Sequence, residues 1–200
     1  MSIYALKPNF QALLRPLAGA LARAGVTANQ ITVAAAVVSM LLGAFVVWRL
    51  PDAHAFLLIP VWMVVRMACN AIDGMLAREF AQMSRLGAYL NELADAVSDV
   101  ALYLPFALLP PFSPLWTGLV IVLAVMSEYA GALGPLVGAS RRYEGPMGKS
   151  DRAFVFGTLG LWAGLAAPPP EWSGLVMPVL AAALVVTIVN RVRGGLREGR

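Results

Sequence analysis

Charged residues, cysteine and histidine are all scarce in this chain. Charged residues make up 13% of its 200 residues and hydrophobic residues 60%, and the mean hydropathy is +0.74. Soluble domains carry about 25% charged residues, so an ordinary soluble domain is excluded. The single cysteine, Cys69, excludes an intrachain disulfide and a cysteine-based metal site. The single histidine, His54, lies near Asp52 in an expected loop, which argues against histidine-centred catalysis.

Long apolar runs, separated by prolines and charged residues, dominate the sequence. They predict an all-α, polytopic membrane protein with six transmembrane helices. We interpret 29–200 as one domain that contains all six spans. The spans are expected at about 29–49, 54–78, 86–109, 114–138, 152–167 and 173–190.

The segment 1–28 mixes apolar and basic residues instead. It predicts an amphipathic helix that lies on the membrane surface ahead of the first span. Gly25 is expected to end this helix, and Thr27 or Asn29 to cap the next one. Leu14, Leu17 and Leu21 have helical spacing and share one face, from which Arg15 and Arg23 are turned away.

Basic residues fall on one side of this six-span arrangement. Arg49 is the exception on the other side, and Arg66 lies within the second span. Positively charged loops face the cytoplasm, so we expect both termini in the cytoplasm and the chain in a bacterial inner membrane. Anionic lipid headgroups explain these residues better than nucleic acid does. The cytoplasmic set is Lys7, Arg15, Arg23, Arg78, Arg85, Arg141, Arg142, Lys149, Arg152, Arg191, Arg193, Arg197 and Arg200.

Polar residues recur at helical spacing at the cytoplasmic ends of spans two and three. Asn70 and Asp73 are three residues apart, which places them on one helix face. A second stripe has residues four apart at Gly87, Asn91, Asp95 and Asp99. Acidic residues on apolar helices are costly and are usually functional. Two such stripes on facing helices would form a pocket of oxygen ligands for a divalent cation and a phosphate substrate.

The two stripes are part of a recognisable motif. From Asp73 the chain reads DGxxAR, eight residues, and then GxxxNxxxD, which ends at Asp95. This resembles the signature of the CDP-alcohol phosphotransferases, DxxDGxxAR followed by GxxxDxxxD. Asn70 and Asn91 stand where that family usually has aspartates, as in a poorly characterised bacterial branch. The segment GVTANQIT before the first span and the basic loop after the fourth are also similar to this family.

The resemblance implies a reaction and a set of residues. The expected enzyme transfers a phosphatidyl group from CDP-diacylglycerol to a small alcohol and releases CMP, with Mg²⁺ or Mn²⁺, as a homodimer. Asp95 is expected to be the general base. Metal ligands are expected among Asn70, Asp73, Asn91, Asp95 and Asp99. The CDP moiety is expected at Asn70, Asp73, Gly74, Ala77, Arg78 and Gly87.

The two asparagines leave three outcomes open, because each replaces a negative charge with a neutral dipole. Asp99 and Glu92 could restore the lost charge, or the site could use one metal. Alternatively, the chain could be a catalytically weakened CDP-lipid-binding membrane protein with a regulatory or scaffolding role. A small transporter is less favoured, since its acids would have to form a path across the membrane rather than a cluster at one face.

A second candidate site is the basic loop at 139–152. Its cations are expected to bind a lipid phosphate or a small, possibly phosphorylated, alcohol acceptor, and they could equally be topology signals. Asp151 could simply cap the fifth span. The basic residues of the loop are Arg141, Arg142, Lys149 and Arg152.

The same polar residues could also have purely structural roles. Asn70, Asp73 and Asp95 could act as polar contacts between helices, or one of them could form a salt bridge with Arg66. For Arg66 itself, pairing with Glu128 of the fourth span is the preferred reading.

Overall fold

The computed structural model describes residues 7–165 and 169–199, with side chains from residue 10 onward in these ranges. The first six residues of the expected surface helix, residues 166 and 167 of the expected fifth span, and the basic residue Arg200 lie outside them. The described residues form an all-helical fold with seven α-helices. These are α1 (Lys7–Arg23), α2 (Ala28–Arg49), α3 (Leu58–Glu79), α4 (Arg85–Tyr103), α5 (Pro114–Ala132), α6 (Lys149–Leu165) and α7 (Val176–Glu198).

Four helical segments are long and apolar enough to cross a membrane. They are Ala28–Arg49, Ala53–Glu79, Pro114–Ala132 and Glu171–Glu198. The first and third are the helices α2 and α5. The other two are α3 and α7, each together with the short 3₁₀ turn that precedes it, Ala53–Leu57 and Glu171–Leu175. α4 carries three acidic residues and is too polar to count as a candidate span, and α6, with 17 residues, is too short. The multi-span helical fold is confirmed, and the count of six spans stays a prediction.

The packing divides the chain into two compact units. The first comprises Met1–Leu41 and Val61–Ser98, and the second comprises Leu42–Pro60 and Asp99–Arg200. The expectation of one domain over 29–200 stays a prediction.

In the first unit, the link between α1 and α2 follows from two local signals. Gly25 has a φ of 80°, and the Val26 N–H donates to the Leu21 carbonyl, which is the hydrogen-bond pattern of a glycine-terminated helix. Thr27 Oγ1 accepts from the Gln30 N–H, and Gln30 Oε1 accepts from the Thr27 N–H. This reciprocal pair is a capping box. The expected roles of Gly25 and Thr27 are therefore confirmed.

The α1 helix packs on the C-terminal half of α3. Ala18 of α1 shares a buried cluster with Ile72, Met75 and Leu76, and Leu14 and Leu21 pack against it. At the rim of this cluster, the Arg15 guanidinium donates two hydrogen bonds to the Glu79 carboxylate, each 3.1 Å long. Leu13 and Leu17 remain exposed on another side of α1, as expected for a helix that also rests on a membrane surface.

Aromatic side chains form the interior of the second unit. The Tyr103 and Phe156 rings stack with their centroids 3.8 Å apart, and Phe106 meets Phe156 edge-on at 5.2 Å. Such pairs stabilise a core beyond the area that they bury. In the loop after α2, Asp52 accepts hydrogen bonds from Arg49 and from His54, and these lower the pKa of Asp52 to about 2.

Replacing Thr27 with alanine tests the capping box. Thr27→Ala leaves the Gln30 N–H without its partner, and we expect it to lower the free energy of unfolding by about 1 kcal/mol. Thr27→Ser keeps the hydroxyl and is expected to match the wild type. Thermal unfolding in detergent, followed by circular dichroism, measures both variants. Equal stability of the alanine and serine variants would contradict the assignment.

Candidate functional site

The residues of the motif lie on α3 and α4 within the first unit. Asp73 is 5% exposed, and its Oδ2 accepts a hydrogen bond of 2.7 Å from Thr32 Oγ1 of α2. A buried carboxylate needs such a donor, because an unpaired charge in an apolar setting is very unfavourable. Asp73 is thus held at a fixed position on the helix face that it shares with Asn70.

Asp95 of α4 is held from α3. The Arg66 Nη2 group donates to Asp95 Oδ1 at 3.3 Å and to the Asp95 main-chain carbonyl at 3.1 Å. Asn70 Nδ2 also donates to Asp95 Oδ1, at 3.4 Å. The Arg66 side chain is 5% exposed, and that of Asp95 is 21% exposed. The structure therefore brings Asn70 and Asp95 together and places the positive charge of Arg66 beside the Asp95 carboxylate.

This pairing bears on one of the two interpretations of Arg66. Asp95 is an acidic partner of Arg66 within the first unit, in line with the salt bridge considered from the sequence. Glu128 belongs to the second unit, and its pairing with Arg66 stays a prediction. Despite this salt bridge the Asp95 carboxylate stays partly exposed, so Asp95 remains a candidate functional residue.

The two motif glycines lie at close approaches. A Cβ on Gly74 would fall 2.7 Å from Nη2 of Arg78, because the arginine side chain folds back over the glycine. A Cβ on Gly87 would fall 2.8 Å from Asn29 Oδ1 and 3.0 Å from Ser84 Oγ. Side chains at these positions would displace their neighbours, so the local packing favours glycine at both. Ala77 is half-buried, and Arg78 is exposed at the end of α3.

The remaining candidates on α4 differ in environment. Asn91 is exposed and Glu92 is half-buried. Asp99 belongs to the second unit, where its Oδ2 accepts from Arg152 Nη2 at 2.9 Å. Asp99 is 5% exposed and Arg152 is 1% exposed, so this is a buried ion pair.

No group of three or more His, Cys, Asp or Glu side chains suited to a metal ion is found within 7–165 and 169–199. The sequence-predicted ligands within the first unit are two carboxylates, Asp73 and Asp95, and the amide oxygens of Asn70 and Asn91. An all-oxygen set of this kind fits a hard cation such as Mg²⁺ or Mn²⁺. It carries two fewer negative charges than the usual family motif.

The basic loop residues are held by carboxylates in the second unit. Arg141 donates to Glu128 Oε2 at 3.4 Å, and Arg142 forms ion pairs with Glu144 and Glu198. Lys149 begins α6. Asp151 Oδ2 accepts from the Gly148 N–H at 3.0 Å, so Asp151 caps α6 as weighed from the sequence.

A family model for CDP-alcohol phosphatidyltransferases matches residues 25–189. The chain belongs to this family. The inner membrane protein YnbA of Escherichia coli strain K12 is 42% identical over 196 residues, which cover 98% of this chain and 97% of YnbA. The family resemblance seen in the sequence is thereby confirmed.

Two crystal structures of Mycobacterium tuberculosis phosphatidylinositol phosphate synthase (PgsA1) share this fold. The structure with CDP-DAG bound has a TM-score of 0.75 at 23% identity, over 90% of this chain and 92% of that one. The structure in complex with manganese and citrate has a TM-score of 0.74 at 22% identity, over 90% and 88%. At this identity the likeness establishes the fold.

Two residues that contact the motif were not predicted from the sequence. Thr32 holds Asp73, and the Asn29 side chain lies beside Gly87. Both lie in GVTANQIT, the segment that carries part of the family resemblance and the expected helix cap. Polar side chains at the start of a largely apolar helix are the signal that could have pointed to them.

Removing the Thr32 hydroxyl tests how Asp73 is held. Thr32→Val is nearly isosteric and loses a hydrogen bond to a charged group, so we expect the free energy of unfolding to fall by about 1.5–3 kcal/mol. Thr32→Ser retains the donor and is expected to recover most of that loss. Thermal unfolding of the three purified proteins in one detergent gives the comparison. A valine variant as stable as the wild type would show that Thr32 does not support Asp73.

Proposed function

We propose that the chain transfers a phosphatidyl group from CDP-diacylglycerol to a small alcohol and releases CMP. The observation that carries this proposal is Asp95, a partly exposed carboxylate held by Arg66 and Asn70 within the family motif. Family membership supports the reaction class, and the shared fold with PgsA1, whose structure has CDP-DAG bound, supports the donor.

The CDP end of the donor is assigned to the α3–α4 motif. Gly74 and Gly87 let a nucleotide approach the backbone, and Arg78 can bind two diphosphate oxygens with its planar guanidinium. Its exposed position leaves the Arg78 side chain room to turn from Gly74 toward such a ligand. Asn70, Asp73 and Ala77 complete this side of the proposed site.

Asp73 and Asp95, with amide oxygens from Asn70 and Asn91, are the residues that would hold a divalent cation. PgsA1 has been solved with manganese, and a bound Mg²⁺ or Mn²⁺ would neutralise diphosphate charge. Because two asparagines replace aspartates, this donor set suits one cation better than two. Arg66 adds a permanent positive charge beside Asp95.

Asp95 is proposed as the general base. Its carboxylate accepts the proton of the acceptor hydroxyl as that oxygen attacks the phosphatidyl phosphorus. A bond forms between the acceptor oxygen and phosphorus, the bond from phosphorus to the CMP oxygen breaks, and CMP leaves. Phosphoryl transfer depends mainly on positioning and charge neutralisation. The contacts from Arg66 and Asn70 provide the positioning of the base.

A second candidate is a CDP-lipid-binding membrane protein with weakened catalysis and a regulatory or scaffolding role. The Arg66–Asp95 ion pair favours it specifically, because the contact occupies a carboxylate oxygen that a base would use. We rank it below the transferase, since Asp73, Arg78, both glycines and Asp95 all remain in the chain.

For the membrane setting, we propose six spans with both termini in the cytoplasm. α4 and α6 would be the two additional spans, and the acids of α4 would then face protein rather than lipid. YnbA is an inner membrane protein, and we propose the same location here. A homodimer is proposed from the family resemblance alone.

Asp95→Asn tests the base directly. We expect wild-type protein with Mg²⁺ or Mn²⁺ to release CMP from CDP-diacylglycerol only when an acceptor alcohol is present. Asp95→Asn should lower that rate about 100-fold or more, because general-base catalysis contributes about 10²–10⁴-fold. Asp52→Asn, the same change in an exposed loop, is the matched control. CDP-diacylglycerol binding without CMP release, across a broad acceptor panel, would favour the second candidate.

Asp73→Asn tests the proposed cation site without relying on turnover. Titration of the purified protein with Mn²⁺, followed by electron paramagnetic resonance, is expected to show one bound ion per chain. The variant should weaken that affinity about tenfold or more, since losing a carboxylate ligand removes both a bond and a charge. Asp52→Asn is again expected to match the wild type. Unchanged affinity in Asp73→Asn would place the metal elsewhere.

A further inference from the structure

The link between α3 and α4 lies in the middle of the family motif. Eight residues separate Arg78 from Gly87, and Gln82 is the fourth of them. The Gln82 N–H donates to the Ala77 carbonyl at 3.1 Å, and Ala81 has a φ of 54°. A left-handed residue followed by such a hydrogen bond ends a helix sharply and fixes the direction of the chain beyond it. The path of the link is therefore defined at Gln82.

The Gln82 side chain joins this link to the one between α1 and α2. Its Oε1 accepts from the Ala28 N–H at 2.7 Å, and its Nε2 donates to the Val26 carbonyl at 3.3 Å. Ala28 is the first residue of α2, and the first N–H groups of a helix have no partner within that helix. Gln82 supplies this partner from 54 residues away. All three residues belong to the first unit.

This connection places the start of α2 beside the start of α4. Asn29 directly follows Ala28, and its Oδ1 lies 2.8 Å from the position that a Cβ on Gly87 would take. On the other side, Ser84 Oγ accepts from the Gly87 N–H at 2.9 Å. Gly87 thus lies between a side chain of α2 and the cap of its own helix. Releasing Ala28 from Gln82 would free Asn29 to move relative to Gly87.

Space for a ligand borders the same contact. A groove of about 500 Å³ runs along α2 from its polar first turn toward apolar residues. Its polar end is at Asn29, the residue that lies beside Gly87. The groove is lined by Asn29, Gln30, Val33, Ala34, Val37 and Val38.

We infer that Gln82 is a positioning residue for nucleotide binding. The inference rests on the proposed function, which assigns the CDP moiety to the motif that contains Gly87. Gln82 acts through Ala28 and Asn29, and it keeps Gly87 and the adjoining groove in the arrangement that receives the nucleotide. A site that is ordered before binding loses less entropy when it is occupied. Loss of this connection should therefore weaken nucleotide binding and leave the chemical step nearly unchanged.

CMP affinity tests this role. Gln82→Met has a similar length but lacks the amide, and we expect it to raise the Kd for CMP about tenfold in isothermal titration calorimetry with Mg²⁺ present. Gln82→Glu keeps an acceptor for the Ala28 N–H and should recover part of that loss. In turnover, Gln82→Met should raise KM for CDP-diacylglycerol and change kcat little.

Ser39→Ala is the matched control for a purely structural effect. Ser39 Oγ accepts from Trp62 Nε1 at 2.8 Å, so this change also removes a side-chain contact between helices of the first unit. It is expected to lower the thermal unfolding midpoint and to leave the Kd for CMP unchanged.

Two results would overturn the inference while leaving the proposed function intact: a folded Gln82→Met variant that binds CMP like the wild type, or an equal loss of CMP affinity in Ser39→Ala. The second would show that affinity simply follows stability. A wild type that does not bind CMP would instead reject the proposed donor site, and the inference with it. The inference holds if Gln82→Met weakens CMP binding in a protein that shows no turnover, a result that would favour the second candidate function.

Hydrogen exchange of the wild type provides a readout that needs no variant, should Gln82→Met not fold. Saturating CMP is expected to slow exchange of the Ala28 amide about tenfold in a peptide covering 26–30, because the bound nucleotide stabilises the closed connection. A peptide covering the loop at 50–56 should exchange at the same rate with and without CMP. Unchanged exchange at Ala28 with CMP bound would contradict the inference.

Discussion

A carboxylate among apolar helices is stable only when its charge has a partner, and this constraint determines how the acidic residues of the chain are held. Asp73 is held by a hydroxyl, Asp95 by a guanidinium and an amide, and Asp99 and Glu128 by arginines. The acids that pair with arginines have their charge balanced within the protein.

This distribution gives the two units different chemistry. In the first, two carboxylates and two asparagines leave oxygen donors with limited negative charge, which suits a cation and a diphosphate. In the second, arginines and carboxylates pair around Glu128 and Arg152, and these contacts link α5 with α6 and α7. The loss of two aspartates from the usual motif and the presence of Arg66 act in the same direction, since all three reduce the negative charge of the proposed site.

Local signals allowed much of the fold to be predicted. Gly25, the capping box at Thr27 and the apolar runs located the helix starts to within a few residues. Two helix ends were placed less well, since α5 ends at Ala132 rather than 138 and α7 continues to Glu198 rather than 190. The early end of α4 has a local cause: Pro105 lacks an N–H, and the helix gives way to a 3₁₀ turn at Leu104–Leu108. The motif likewise located the family and the residues of α3 and α4. The sequence features of the family are spread along the chain, and the 42% identity to YnbA likewise extends over 98% of it.

Side-chain partners were harder to predict, because they depend on how helices far apart in sequence are rotated against each other. Thr32 meets Asp73 across 41 residues, and Arg66 meets Asp95 across 29. Spacing within one helix carries no information about that rotation. The same reason explains why the loop arginines suggested a phosphate site, since their carboxylate partners come from distant helices.

The most direct test of the central claim is to identify the lipid product. Purified protein is incubated with CDP-diacylglycerol, a divalent cation and a mixture of alcohols, and lipids and nucleotides are quantified by mass spectrometry. The account predicts one new phosphodiester-linked lipid, formed in equal amount to CMP. Recovery of intact CDP-diacylglycerol from protein that binds it in stoichiometric amounts would contradict it.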